Sequence, residues 1–277
     1  MNLSTYAENT WCPGCGNFGI LNAFKRAVKI IEQEIPRERI IISAGIGCHG
    51  KIFDYLSLSG VYSLHGRAVA TIQGIKIANP SLKVVAFVGD GDAMGEGISH
   101  LIFAAKRNTD ITVIMHNNGV YALTTGQFTP LSPRGFKSKT SPDGNIEEPL
   151  NPISLMLEAG ATFVARGYSG RIDHLSKIMV EAIRHEGFSF VEVLQPCVSF
   201  NNTYEYYNER VEEIKKDLNR EEAISYSRMK EKIPIGIFYR TKKPVFHELL
   251  YGKWNPVEKR VDATTRRNKV LEVLSWM

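Results

Sequence analysis

The chain has 277 residues, 43% of them hydrophobic and 23% charged, a composition that suits a soluble globular protein with a substantial core and excludes a disordered polymer. Its formal net charge of +5 is small and dispersed, so neither nucleic acid nor a lipid surface is indicated as a partner. No uncharged apolar run approaches the ~18 to 20 residues that cross a bilayer, and the opening MNLSTYAENTWCPGCG lacks a basic stretch followed by an apolar one, so a cytoplasmic location is expected.

In chain order, Phe18, Leu21, Phe24, Val28 and Ile31 recur at three- and four-residue steps and predict a helix with one buried stripe. The β-branched run Ile40–Ala44 predicts the first strand, and further strands are expected at 84–88, 111–115, 162–165 and Ser189–Leu194. Between them run two more helical stripes, Ile98, Leu101, Ile102 and Ala105, then Ile172, Leu175, Met179 and Ala182. This alternation predicts an α/β domain over 1–200, a mostly parallel sheet with helices on both faces. The stretch 124–151 carries Pro130, Pro133, Pro142 and Pro149 with Gly126, Gly135 and Gly144, so it holds no long regular element, and a loop of that length is usually functional or disordered. Beyond 200 the charge density rises to 28 charged side chains in 77 positions, with a net of +4. Residues 208–232 are good helix formers with a thin apolar stripe, and 201–277 reads as a charged C-terminal extension or arm.

The stretch 83–121 reads as strand, glycine-rich turn, helix, strand and Asn-Asn-Gly turn. Strand ends in such a βαβ unit point to one edge, so Asp90 and Asn118, 28 residues apart, can meet around one ligand. Magnesium favours six oxygens in near-octahedral geometry; the Asp90 carboxylate, the Asn118 amide oxygen and the Val120 carbonyl supply three, leaving the rest to a diphosphate and water. Gly89 and Gly91 let the backbone approach that anion closely. By itself a Gly-Asp-Gly equally suits a generic nucleotide-binding or purely structural turn. A dinucleotide fingerprint needs glycine where Met94 stands, and no Gly-Lys-Ser/Thr follows the turn, so NAD and ATP are not favoured.

Four cysteines are too few to staple a chain of this length, which leaves metal ligation or redox work as the leading reading. Cys12 and Cys15 form a C-x-x-C in a Pro-Gly turn, while Cys48 and Cys197 follow the first and last expected core strands. Four converging thiolates suit a tetrahedral zinc or a 4Fe4S cluster; spacing alone leans to zinc, with His49 as a spare ligand. Isolated cysteines are also commonly just small buried residues.

Gly89-Asp90-Gly91 followed by Asn117-Asn118 resembles the thiamine diphosphate motif. With Trp11-Cys12-Pro13-Gly14-Cys15-Gly16, Gly45-Ile46-Gly47-Cys48, Leu64-His65-Gly66-Arg67, Gly74-Ile75-Lys76-Ile77-Ala78-Asn79-Pro80, Leu123-Thr124-Thr125-Gly126-Gln127 and Gln195-Pro196-Cys197, the chain resembles the β subunits of 2-oxoacid:ferredoxin oxidoreductases over about 200 residues. Thr203-Tyr204 and the run from Ile233 to Ile237 extend the likeness to two-subunit members. The resemblance implies oxidative decarboxylation of a 2-oxoacid, pyruvate or 2-oxoglutarate, to acyl-coenzyme A and CO2, with electrons passed to ferredoxin. It implies thiamine diphosphate and Mg2+, the metal on Asp90, Asn118 and Val120. Cofactor contacts are implied for Gly47, Cys48, His65, Gly66, Gly89, Asp90, Gly91, Asp92, Asn118, Val120, Leu123 and Thr124. It also implies that Cys12, Cys15, Cys48 and Cys197 hold one 4Fe4S cluster, which the positive end of the helix beginning near Asn17 helps to neutralise. The rivals are a subunit of a non-oxidative thiamine decarboxylase and a zinc-stabilised scaffold.

The same likeness places His65 and Arg67 in the active site, although alone they read equally as a solvated turn. Lys51, three residues beyond Cys48, is positioned to meet a substrate carboxylate opposite Leu123, or else to snorkel into water. Asp92 and Glu96 read first as complements of the next helix N-terminus. Thiamine enzymes also need a glutamate against the aminopyrimidine ring, and with one diphosphate-binding unit this chain has no room for the domain that brings it. A larger α subunit with that glutamate is therefore expected, as two αβ pairs, with 124–151 and the charged tail as candidate contacts.

Overall fold

The computed structural model describes residues 3–252, 254–258 and 261–276, so the outermost positions of the two expected segments, 1–2 and 277, lie outside the described residues. Helix α1 (Asn17–Ile31) leads through a 3-10 turn into β1 (Ile40–Ala44). A second 3-10 segment, Cys48–Tyr55, precedes β2 (Ser59–Tyr62), α2 (Ala68–Ala78) and β3 (Lys83–Gly89). Then come α3 (Ile98–Lys106), β4 (Thr112–Asn117) and a two-stranded hairpin of β5 (Val120–Tyr121) and β6 (Gln127–Phe128). After the proline-rich loop follow α4 (Pro152–Ala159), β7 (Phe163–Tyr168), α5 (Ile172–Arg184) and β8 (Ser189–Leu194). The last part holds α6 (Tyr204–Arg210), β9 (Val211–Glu213), α7 (Arg220–Ser227), β10 (Ile233–Arg240), α8 (Phe246–Tyr251) and α9 (Ala263–Leu274).

Eight strands form one sheet in the order β2-β1-β3-β4-β8-β7-β10-β9, parallel throughout except where β10 runs against β7. Both faces of the central strands are covered, so their sequences are apolar runs rather than alternations. On β3, Val85 and Phe87 point to the side of α1 and α5, whereas Val84, Ala86 and Val88 point to that of α2, α3 and α4. Phe24 of α1 meets Phe87 edge to face at 4.8 Å, the arrangement that ring quadrupoles favour. The expected fold class, a mostly parallel sheet with helices on both faces, is the one observed.

Beyond position 200 the chain completes the sheet before it leaves it. The stretch 208–232 does not form one long helix. Val211 pairs with Ile233 as strand, and Leu218 and Ala223 bury into the core, so the thin stripe is spent on this chain's own sheet in short pieces. Asn219 and Glu222 cap α7 reciprocally. By contrast α9 has no buried residue and exposes Val270, Leu271, Val273 and Leu274. Among the described residues no helix is long and apolar enough to cross a membrane.

Candidate functional site

Parallel strands deliver their C-terminal ends to one edge, and the turns after β1, β3, β4 and β8 converge there. A cavity of about 100 Å³ opens among them, lined by Gly47, Cys48, His65, Gly89, Asp90, Gly91, Asp92, Asn118, Val120, Leu123 and Thr124. Of the residues expected to contact the cofactor, Gly66 stands outside this lining and instead donates its N–H to Asp92 Oδ1 at 2.7 Å. A larger crevice of about 860 Å³ lies at the opposite edge of the sheet, holds none of the expected residues, and is crossed by ion pairs such as Lys76 with Asp110 at 2.6 Å.

Asp90 is fully enclosed. Its Oδ2 accepts from the Thr129 hydroxyl at 2.5 Å and its Oδ1 from the Asn118 N–H at 3.4 Å, so the acid and amide turns do meet. Burial pushes its carboxyl up to about 7, against the smaller pull of Thr129 and Asn118. Such a carboxylate is short of positive charge, which suits a cation ligand. The long loop closes on this point: Thr129 reaches Asp90, and Ser132 donates to the Gly119 carbonyl at 2.5 Å. The Asn118 amide oxygen accepts from the Val120 N–H at 3.0 Å, which tightens the Asn-Asn-Gly turn. Thr129 was not singled out from the sequence, because nothing in a proline-rich loop marks which hydroxyl folds inward.

Gly91 is needed for space: a Cβ there would lie 2.2 Å from the Tyr121 ring, and one at Gly89 would lie 2.6 Å from His49 Nδ1. Side chains of this protein, rather than only a bound anion, therefore demand these glycines. The first turn after Gly91 is a π-type turn over Asp92–Glu96 closed by Gly97 N–H to Asp92 O at 3.0 Å, an irregularity frequent at functional sites. Asp92 does not act as a complement to the next helix. Its carboxylate takes His65 Nδ1 at 2.6 Å and the Gly66 N–H, and His49 Nε2 stands 3.4 Å from Oδ2 without forming a hydrogen bond. Burial alone would raise this carboxyl, but His49, Gly66 and His65 outweigh it and hold it below its ordinary range. Glu96 accepts from the Tyr121 hydroxyl at 3.2 Å. Arg67 turns away from the cavity, donating to the carbonyls of Glu96 at 3.1 Å and Gly66 at 3.3 Å.

The four cysteines gather beside this cavity. In the turn Cys12-Pro13-Gly14-Cys15 the Cys15 N–H bonds the Cys12 carbonyl at 3.0 Å, and Gly14 takes the positive φ of 81° that such a turn needs. The turn is tied to the end of β8 by Gly16 N–H to Pro196 O at 3.1 Å and to α6 by the Tyr204 hydroxyl on Gly14 O at 2.9 Å. All four cysteines are free thiols, and all line one cavity of about 180 Å³ together with Lys51 and Leu123. Burial lifts the Cys15 thiol to about 11; the Asn17 backbone N–H opposes this, and the other three cysteines reinforce it. Among the described residues no three His, Cys, Asp or Glu side chains converge closely enough for a single metal ion. His49, the spare ligand of a zinc reading, faces Asp92 instead. Lys51 reaches the Thr10 carbonyl at 3.4 Å.

Cys48, Asn118, Ala122 and Leu123 line both cavities, so the two share a wall. Across it, Asn17 from the cysteine side accepts or donates to His116 Nδ1 at 2.8 Å, and burial keeps His116 well below its ordinary pKa.

Residues 45–193 match the family model described as thiamine pyrophosphate enzyme, C-terminal TPP binding domain, and 197–253 match the model for the C terminal of the pyruvate ferredoxin oxidoreductase beta subunit. The 2-oxoacid:ferredoxin oxidoreductase subunit beta of Saccharolobus solfataricus is 44% identical over 267 residues, covering 90% of this chain and 87% of that one. The 2-oxoglutarate synthase subunit KorB of Archaeoglobus fulgidus is 40% identical over 238 residues, covering 86% of each. The solved 2-oxoglutarate:ferredoxin oxidoreductase from Magnetococcus marinus, with 2-oxoglutarate, coenzyme A and succinyl-CoA bound, superposes with a TM-score of 0.89 at 33% identity, over 98% of this chain and 94% of that chain. With those matches spanning the cofactor edge, the cysteine turn and the strands added after β8, the chain belongs to the family of 2-oxoacid:ferredoxin oxidoreductase β subunits.

Proposed function

We propose that this β subunit holds the diphosphate end of thiamine diphosphate, its magnesium ion and a 4Fe4S cluster, in an enzyme that converts a 2-oxoacid and coenzyme A to acyl-coenzyme A and CO2. The shared wall of Cys48, Asn118, Ala122 and Leu123 carries this reading, because it sets the cofactor cavity against the four cysteines. When bound, thiamine diphosphate supplies the carbon nucleophile for decarboxylation and the cluster accepts the released electrons one at a time.

The chain's own residues divide the remaining work. Asp90, Asn118 and the Val120 carbonyl hold the cation, with Thr129 fixing the orientation of the Asp90 carboxylate. Asp92 locks the His65 ring through Nδ1, which reserves Nε2 for a phosphate or substrate oxygen. Arg67 acts as a brace of the turn. Lys51 and Leu123, at the cysteine cavity, face the substrate carboxylate and shape its wall. Cys12, Cys15, Cys48 and Cys197 fit a cluster better than zinc, since the thiols ring a cavity instead of meeting at one point.

At about 100 Å³ the cofactor cavity falls below the ~300 Å³ lower bound of pockets that enclose a whole organic ligand. The other end of the cofactor, and the glutamate that faces it, then belong to an α subunit, in a complex of two αβ pairs that works in the cytoplasm and delivers electrons to ferredoxin. The charged segment after 200 and the 124–151 loop are the candidate contacts. Metal analysis of the anaerobically purified αβ complex tests the assignment: about four irons per chain and broad absorbance near ~400 nm are expected. Colourless protein with one zinc would reject it.

A further inference from the structure

Two side chains outside the ligand set reach the cysteine sulfurs. Gln195, 1% exposed at the end of β8, directs Nε2 to Cys15 Sγ at 3.6 Å and to the Pro196 carbonyl at 2.6 Å. Its Oε1 is buried and has no partner, so the amide is held in place at the cost of an unsatisfied acceptor. A mid-wall glutamine placed only for packing would not leave an acceptor orphaned while aiming its donor at sulfur. On the outer side, the Ser199 hydroxyl donates to Cys12 Sγ at 3.3 Å. The two donors arrive from the same segment, 195–199, which also supplies Cys197.

We propose that Gln195 and Ser199 are positioning residues that set the reduction potential of the cluster by donating hydrogen bonds to its thiolate ligands. The inference rests on the cluster reading given above. One electron entering the cluster from the oxidised 2-oxoacid, and leaving to ferredoxin, adds one negative charge that is shared with the cysteine sulfurs. A hydrogen bond to sulfur favours that extra charge, so it raises the potential, and hydrogen bonds to the sulfurs are an established lever on such centres. Gln195 acts within a nearly dry pocket, where little water competes with it. Ser199 acts on Cys12, the exposed ligand, and its effect is the smaller of the two.

Dithionite titration of the anaerobic αβ complex, followed by electron paramagnetic resonance, reads the midpoint directly. Gln195→Leu keeps the shape and removes the donor. Its midpoint is expected to fall by about 59 mV, the one-electron equivalent of a tenfold change in the reduction equilibrium, with iron content unchanged. Ser199→Ala is expected to shift the midpoint in the same direction by less, and Ser199→Thr, which retains the hydroxyl, to restore it. Wild-type midpoints in iron-replete Gln195→Leu and Ser199→Ala would overturn the inference while leaving the cluster in place. A wild-type complex without iron would instead overturn the cluster reading and this inference with it. Should Gln195→Leu fail to retain iron, the Ser199→Ala and Ser199→Thr pair decides: a fall that threonine does not reverse, or no fall, counts against the proposal.

Discussion

Replacing Asp90 with asparagine should separate stability from cofactor retention. In the protein stripped of magnesium and thiamine diphosphate, burial holds the Asp90 carboxyl at about 7, against 3.8 when exposed. The folded-state pKa lies above the unfolded one, so this group favours the native state fully below about pH 4, and that contribution is lost as pH rises through 7. A gap of about three units at 1.36 kcal/mol each corresponds to a cost of roughly 4 kcal/mol for the buried charge above pH 7. Asp90→Asn removes the charge but also the strong acceptor of the Thr129 hydroxyl, which returns about 1 to 2 kcal/mol of that gain. Stripped Asp90→Asn should therefore unfold about 2 to 3 kcal/mol later than stripped wild type at pH 8, roughly 5 °C in midpoint for a chain of this size, and no later at pH 4. Added magnesium and thiamine diphosphate should raise the wild-type midpoint and leave that of the variant unmoved. Differential scanning fluorimetry at the two pH values, with chelator and then with both ligands, gives all four comparisons. Equal stripped midpoints at pH 8, or equal stabilisation of both proteins by the ligands, would refute the buried-charge account.

Thr129→Val, which keeps the shape and loses the donor to Asp90, should weaken magnesium-dependent cofactor binding about tenfold in titration calorimetry, and unchanged affinity would remove Thr129 from the site. Gly91→Ala should abolish thiamine diphosphate retention, because its Cβ meets the Tyr121 ring at 2.2 Å; adding Tyr121→Ala opens that space, and failure of the double variant to regain any binding would argue against steric cause. Arg166→Met strands Glu192, whose partner guanidinium lies 2.6 Å away in the sheet interior, and should cost about 3 to 5 kcal/mol in urea unfolding. Arg166→Met with Glu192→Met should recover most of it, and a double variant no better than the single would contradict the ion-pair reading.

The parallel sheet and the meeting of Asp90 with Asn118 were readable in the sequence because one crossover fixes both: two strands with a helix between them end on the same edge. The cysteine quartet was readable for a similar reason, since its members sit at a turn and at two strand ends. Strands β2 and β10 escaped notice. Ser59–Tyr62 is short and exposed along its length, and Ile233–Arg240 carries Pro234 and Gly236, residues that weaken a strand signal; β10 tolerates both near the sheet margin, where only short β9 lies beyond it. Side-chain direction was the other blind spot. Arg67 and His49 were singled out as functional types, yet one braces backbone carbonyls and the other turns toward Asp92, choices set by neighbours from distant segments.

The knot that fastens the Cys12–Cys15 turn to Pro196 and Tyr204 has a bearing on how the molecule matures. Three of the four sulfurs, at 12, 15 and 48, emerge early from the ribosome, and their fellow at position 197 emerges only after strand β8. Non-local pairing of that span is slow to form, so iron delivered during translation would find a nest one ligand short. On the cluster reading, loading would wait until β8 has docked, with the growing sheet as the jig for the inorganic centre.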